Sequence, residues 1–421
     1  IRRPPRSTPL YSSAASDVYK RQDHEGSSED KNLTNLPNIL LIIADDMGID
    51  FTPGYDVGDI KPIMPNLSQL QAEGIIYDNV WSAPICAPTR ASIITGKYGI
   101  HNGVLNTSSA GTIKESEKTI QAYLDEKLGK VYAHAVIGKW HLSNQEPSRP
   151  NQMGIDYFAG LIPGIISDYN LWDLTINGQT MTNSDYITSK FTDLAINWIK
   201  GQDQPWFCWL AYTAPHSPFH LPPNEMHSQG EISSSKGIID NNPSPYYIAM
   251  IESIDYEMGR LLRTIPSDQK ENTLIIFLGD NGTPGKVIQA PYENNRSKGS
   301  LHQGGIHVPL VISGPLVTRK GERDQSLIHT ADIFSTIAEA AGISESKYFN
   351  SQSFYNTLSN TSLSARVYNY SEILDNDKPA KSGFTIRNER YKLIVLDLSL
   401  IHISEPTRQA EISYAVFCVK K

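Results

Sequence analysis

Two short apolar runs, each closing on acidic residues, limit the fold of this chain more than any other feature. Ile39-Leu40-Leu41-Ile42-Ile43-Ala44 is followed by Asp45-Asp46, and Leu274-Ile275-Ile276-Phe277-Leu278-Gly279 by Asp280-Asn281. An unbroken apolar run leaves a strand no polar face, so each reads as a strand buried on both sides. Both runs are far too short to cross a bilayer. Ala135 to Gly138 and Trp206 to Tyr212 are further buried-strand candidates. Helical stretches fall between them: Pro65 to Glu73, Ile120 to Leu128, Tyr247 to Ile265 with a 3.6-residue apolar period, and Thr330 to Ala341, stopped by Gly342. Buried strands alternating with helices imply an α/β fold, with a large, mostly parallel or mixed sheet between helices.

The texture changes past Gly342. Arg366 to Glu372, Phe384 to Arg387 and Tyr391 to Leu396 read as antiparallel strands. The expected organisation is a main domain over 37–345 and a truncated C-terminal subdomain over 346–398. Residues 143–190 and 217–245, rich in Pro, Ser and Asn, read as long loops that would rim a pocket. Residues 1–22 and 399–421 resemble translated sequencing-adaptor sequence, and 23–36 read as a polar, acidic leader. Both ends, 1–36 and 399–421, are therefore set apart from the fold reading.

In an open α/β sheet, ligands bind outside the carboxyl ends of the strands. Asp45, Asp46, Asp280 and Asn281 would sit there. Their oxygen donors suit Ca²⁺ or Mg²⁺ better than Zn²⁺, although either pair alone also reads as an ordinary acidic loop start. Cys86 opens the run Cys86-Ala87-Pro88-Thr89-Arg90-Ala91-Ser92-Ile93-Ile94-Thr95-Gly96. Pro88 suits a first helical turn and Gly96 a helix end, which puts Cys86 at a helix N-terminus with Arg90 on the same face. Such a place favours a tetrahedral oxyanion; a buried structural thiol is the alternative for a lone Cys. Cys208, inside Trp206 to Leu210, reads as core, and with Cys418 the three cysteines are too few for a disulfide framework. In Gly138-Lys139-Trp140-His141, Lys139 and His141 face the same way on extended chain. A net charge of −8 argues against a nucleic-acid binder, so an anionic substrate needs a local basic cluster.

Cys86-x-Pro-x-Arg90 followed by Thr95-Gly96 resembles the signature of the type I, formylglycine-dependent sulfatases. These are arylsulfatase-like members of the alkaline-phosphatase-like superfamily. Asp45-Asp46, Gly138-Lys139-x-His141, Pro215-His216, Asp280-Asn281, Lys298-Gly299 and Gly304-Gly305-x-x-Val308-Pro309 match the family in the same order. The resemblance implies an alkaline-phosphatase-like sandwich. It implies that a maturase oxidises Cys86 to formylglycine, whose hydrate is the nucleophile. Asp45, Asp46, Asp280, Asn281 and residue 86 would hold Ca²⁺, with Mg²⁺ as the alternative. Lys139 and Lys298 would bind sulfate beside Arg90, His141 would act as base, and His216 would protonate the leaving oxygen.

The expected reaction is hydrolysis of a sulfate ester, that of a sulfated carbohydrate before that of a small molecule, without nucleic acid or membrane span, in the periplasm or outside the cell. A phosphoester or phosphonate monoester hydrolase of the same superfamily and a catalytically silent sulfated-glycan binder are the alternatives. Tyr169, Trp172 and Tyr246 are candidate sugar platforms or plain packing. His101 is placed near the site, and His220 and His302 read as loop residues. The sequon Asn281-Gly282-Thr283 carries no glycan inference.

Overall fold

Ten strands form one sheet: β1 (Asn38–Ala44), β2 (Gly74–Trp81), β3 (Ala133–Lys139), β4 (Tyr157–Leu161), β5 (Trp172–Ile176), β6 (Gln179–Asn183), β7 (Trp206–Ala211), β8 (Thr273–Gly279), β9 (Leu310–Ser313) and β10 (Glu322–His329). Their order is β10-β2-β9-β8-β1-β7-β3-β4-β5-β6. The central block β8-β1-β7-β3-β4 is parallel throughout, as the two acid-ended runs required. The computed structural model describes residues 36–401 except 108–111, 362–363, 365, 375–378 and 397–398. The leader and adaptor-like sequence over 1–35, and 402–421 with Cys418, lie outside the described residues.

Alternation along β1 divides the core into two layers. Ile39, Leu41 and Ile43 pack with Ile94, Leu124, Phe334 and Ile337 from helices Cys86–Thr95, Ile120–Leu128 and Asp332–Ala340. Leu40, Ile42 and Ala44 pack with Leu67, Phe191, Ile254 and Leu261 from helices Pro65–Ala72, Ile187–Lys200 and Ser244–Thr264. Successive side chains of a strand point to opposite faces, so a run apolar at every position needs helices on both. Among the described residues no helix is long and apolar enough to cross a membrane.

The expected loop over 143–190 is corrected: it contains β4, the hairpin β5–β6 and the start of the Ile187–Lys200 helix. The hairpin turns on Asn177-Gly178, both at positive φ (45° and 84°), the conformation that Asn-Gly supplies for a two-residue turn. Past the main sheet, Asn369–Ile373, Gly383–Arg387, Lys392–Leu396 and Ser399–Ile401 form a small antiparallel sheet. Its last strand uses the first residues of the segment set apart as adaptor-like. Ser371 Oγ donates to the Ser82 carbonyl at 2.8 Å and Asn369 Nδ2 to the Asn79 carbonyl at 3.0 Å. Arg366 Nε donates to buried Asp332 at 2.6 Å.

Gly138 precedes Lys139 at φ 105°, and a Cβ there would lie 1.9 Å from the Ala211 carbonyl oxygen of β7. Neither the backbone conformation nor the space admits a side chain. Gly138→Ala is expected to destabilise the fold by at least about 3 kcal/mol, read as a lowered midpoint in thermal or urea unfolding. An unchanged midpoint would contradict the packing described here.

Candidate active site

Four strands end at one place on the sheet edge. β1 delivers Asp45 and Asp46, β8 delivers Asp280 and Asn281, β3 ends on Lys139 two residues before His141, and β7 leads to His216. The Cys86–Thr95 helix meets them with Cys86 as its first residue, and it stops at Gly96 in the left-handed conformation. Pro88 in the first turn and glycine past the last are the local reasons for these bounds.

Arg90 is fully buried. Its Nε and Nη2 donate to Asp280 Oδ2 at 3.1 and 2.8 Å, and Nη1 donates to the Lys139 carbonyl at 2.7 Å. Lys139 donates to Asp45, and Lys298 Nζ donates to Asp46 Oδ2 at 2.7 Å. Asn281 Nδ2 donates to Asp46 Oδ1 at 2.8 Å. His216 Nδ1 donates to the Ser217 carbonyl at 2.7 Å, and its Nε2 lies 3.9 Å from Asp46 Oδ2. Cys86 Sγ lies 3.2 Å from His141 Nδ1. All ten residues singled out by sequence therefore share one cluster: Asp45, Asp46, Cys86, Arg90, Lys139, His141, His216, Asp280, Asn281 and Lys298.

Two of them carry backbone strain. Asp46 (φ 71°) and His141 (φ 58°) are left-handed non-glycine residues, a conformation that costs on the order of 1–3 kcal/mol. Asp46 is held by its N–H on Asp280 Oδ1 at 3.0 Å and by the Tyr247 hydroxyl on its carbonyl at 2.6 Å. The His141 N–H donates to the Ile162 carbonyl at 3.1 Å.

The donors fit a hard divalent cation. Asp45 Oδ1 and Asn281 Oδ1 are buried with no hydrogen-bond partner, an arrangement that is costly unless something else satisfies them. Ligand atoms of Asp45, Asp46 and His216 lie within 4.8 Å of one another. Burial and the neighbouring Asp45 charge push the Asp280 carboxyl above the usual carboxylate range, against the opposing pull of Arg90. Burial would raise Asp45 too, but Lys139, His216 and Arg90 outweigh it and hold it well below the usual carboxylate range. Three basic side chains (Arg90, Lys139, Lys298) balance three carboxylates (Asp45, Asp46, Asp280), so a divalent cation would leave the site positive and receptive to an anion. Burial pushes the Cys86 thiol up despite Lys139 and Lys298 beside it. Burial, with Lys139 and Arg90, keeps His141 well below its ordinary range, and burial lowers His216.

Of the two readings open for the three aromatics, packing holds. Tyr169, Trp172 and Tyr246 are buried and serve as packing, not as open sugar platforms. Their polar atoms bond the chain: Tyr169 to the His216 carbonyl, Trp172 to that of Asp185, Tyr246 to that of Ser233. His101 is exposed, with Nδ1 at 2.6 Å from Asn350 Oδ1. Asn281 and Thr283 are both fully buried, so the sequon is not a glycan acceptor. Sequence reading missed Asp50, whose Oδ1 accepts from Thr283 Oγ1 at 2.5 Å. That hydroxyl in turn accepts from the Gly48 N–H at 3.2 Å, which ties the loops after β1 and β8 together. A second acidic group, Asp125, His134 and Asp156, is a hydrogen-bonded cluster. His134 Nδ1 accepts the Asp156 N–H at 3.2 Å, which leaves the proton on Nε2 facing both carboxylates.

Residues 37–343 match the family model described as Sulfatase. The chain belongs to the sulfatase family. Residues 296–400 match a second model, N-sulphoglucosamine sulphohydrolase, C-terminal. Arylsulfatase J of Mus musculus is 29% identical over 375 residues, covering 83% of this chain and 60% of that protein. Homo sapiens N-acetylgalactosamine-6-sulfatase is 27% identical over 348 residues, covering 73% of this chain and 62% of that protein. This sulfatase-family chain thus spans about 60% of the length of Arylsulfatase J. Among solved structures, Ps i-CgsB in complex with k-i-k-neocarrahexaose superposes with a TM-score of 0.70 at 25% identity, covering 86% of this chain and 84% of that one. PsFucS1 sulfatase from Pseudoalteromonas sp. shares the fold, with a TM-score of 0.68 at 21% identity and coverage of 89% and 83%. The alkaline-phosphatase-like α/β architecture expected from the sequence is borne out.

Proposed function

We propose that this protein hydrolyses a sulfate ester of a sulfated carbohydrate to an alcohol and inorganic sulfate. It would use a formylglycine made from Cys86 by a maturase, together with a divalent cation, Ca²⁺ or Mg²⁺. One observation carries the reading: residue 86, at a helix N-terminus, shares a buried cluster with three carboxylates, and two oxygens of that cluster, Asp45 Oδ1 and Asn281 Oδ1, have no hydrogen-bond partner. The machinery falls within 37–345, with 346–398 as an appended subdomain. Export to the periplasm or the medium accords with the family.

Asp45, Asp46, Asp280 and Asn281 would hold the cation, with residue 86 completing the set; the ion supplies positive charge for a sulfate oxygen. Formylglycine supplies, with a water, two hydroxyls on one carbon: one to attack sulfur and one to let the sulfate depart. A buried thiol held in its neutral form is a poor nucleophile, which favours the modified residue over plain Cys86. His141, neutral and 3.2 Å from Cys86 Sγ, accepts a proton from the group at 86. Lys139 and Lys298 present ammonium groups to the sulfate and meet the charge that spreads in the transition state. His216 faces the carboxylates through Nε2; protonated there, it donates to the leaving oxygen. Arg90, whose guanidinium faces Asp280, Asp45 and the Lys139 carbonyl, acts by holding those groups in register.

The carbohydrate assignment draws on the relative named N-acetylgalactosamine-6-sulfatase and on the neocarrahexaose complex. A panel of sulfated saccharides, with released sulfate measured, tests it. On aryl leaving groups the sulfate monoester is expected to react at least about tenfold faster than the phosphate diester. The reverse order would assign the site to phosphoester chemistry.

A further inference from the structure

The segment between β4 and β5 runs from one histidine of the site to the other. At its start, the His141 N–H donates to the Ile162 carbonyl. Two residues on, Gly164 lies over the face of the His141 ring: a Cβ there would stand 2.0 Å from Nε2, 2.1 Å from Cε1 and 2.2 Å from Cδ2. These separations are far inside van der Waals contact. The same ring places Nδ1 at 3.2 Å from Cys86 Sγ. Bare backbone therefore stacks on the imidazole whose Nδ1 faces position 86. Gly164 does not have a positive φ, so the position demands the missing Cβ and not an unusual conformation. At the far end, the Tyr169 hydroxyl lies 2.5 Å from the His216 carbonyl and 3.1 Å from that of Thr213. Tyr169 itself is buried, while Ile165 between the two anchors is 72% exposed. The segment is pinned at both ends on the histidine loops and open in the middle.

We propose that Gly164 is a positioning residue for His141, fixing the imidazole against residue 86 from within a segment that Tyr169 anchors to the His216 loop. The proposal rests on the sulfate-ester reading for what His141 does, and on packing alone for how His141 is held. An added methyl must tilt or shift the ring from this seat, and with it Nδ1 relative to residue 86, and a displacement of about 1 Å at a reacting group can cost about 100-fold in rate.

The test is a double-mutant cycle on the matured enzyme with Gly164→Ala, His141→Ala and the pair. Rates on an aryl sulfate, conversion of Cys86 by intact mass, and thermal midpoints are measured for each. Gly164→Ala is expected to lower kcat about 100-fold while KM moves less than about threefold, with Cys86 fully converted and the thermal midpoint lowered. Once His141 is trimmed the new methyl has room, so the second substitution should change neither rate nor midpoint appreciably. Wild-type kcat in Gly164→Ala, equal losses in both backgrounds, or a loss traced to unconverted Cys86 would each overturn the proposal. Should Gly164→Ala fail to fold, recovery of folding in the pair supports it, and failure of both variants overturns it. Full activity in His141→Ala would instead sink the proposed base, while the cycle in thermal midpoints still decides whether Gly164 and His141 are in contact.

Discussion

Replacing Cys86 with alanine is expected to lower sulfate release by at least about four orders of magnitude, the scale seen when a nucleophile is removed. Folding should survive. Cys86 is 2% exposed in the first turn of a helix whose other residues stay in place, so loss of one sulfur costs at most about 1–2 kcal/mol. The protein made without a maturase provides the sharper comparison. Its Cys86 remains a thiol that burial keeps protonated, so it should be nearly as inactive as the alanine variant. Converted protein should be lighter by about 18 Da, since a CH₂SH group becomes CHO. Sulfate release assayed beside intact mass reads both outcomes. Wild-type turnover from the alanine variant, or from protein of unconverted mass, would refute the role given to position 86.

Asp280→Asn should lower turnover by at least about a thousandfold and abolish the stabilisation that a divalent cation gives the native enzyme. The substitution keeps the shape and removes one of three buried negative charges. Arg90, which donates to Asp280 through two nitrogens, then loses the nearer of its two carboxylate partners, with Asp45 left at 3.7 Å, in a fully buried place, which destabilises by about 3–5 kcal/mol. A ligand present at about 100 times its Kd stabilises the folded state by about 2.7 kcal/mol. Calcium should therefore raise the thermal midpoint of the chelated wild-type protein by several degrees and leave that of Asp280→Asn unmoved. The midpoint needs no substrate, so it reads the site apart from catalysis. A wild-type midpoint indifferent to chelator, Ca²⁺ and Mg²⁺ would remove the cation from the mechanism.

Much of the architecture was legible because burial on two faces leaves a strong mark in sequence. β1 and β8 were found from unbroken apolar runs, the Ser244–Thr264 helix from its 3.6-residue period, and the Asp332–Ala340 helix from the glycine that closes it. The flanks of the sheet were not. β9 spans only Leu310–Ser313, and β10 is half exposed with charged residues at its start. Neither offers a long pattern, and their pairing is decided by distant strands. The hairpin β5–β6 did carry a signal, Asn177-Gly178, that was absorbed into a long polar stretch. The Ile187–Lys200 helix carried another, with Ile187, Phe191, Ala195 and Ile199 on its buried face.

The ten site residues were named from short motifs because the chemistry needs particular side chains at particular strand ends. The residues that hold them were invisible. Gly164 is one glycine among 29, and its meaning lies in a ring face that only folding brings against it. Tyr169 reads equally as a sugar platform or as packing until its hydroxyl is found on the His216 carbonyl. Asp50 looks like one more loop acid, yet it fastens two loops that are more than 200 positions apart in the chain.

By itself, then, the order of amino acids determined the layered α/β class and the list of reactive groups. Both are written locally, in runs of side chains and in residue types whose donors and charges do not depend on context. Tertiary structure alone decided how those groups are held: which ammonium faces which carboxylate, which oxygens are left without a partner, and which backbone lies against an imidazole. Those are distances between segments remote in the chain, and distance is what sets the strength of electrostatic and steric terms.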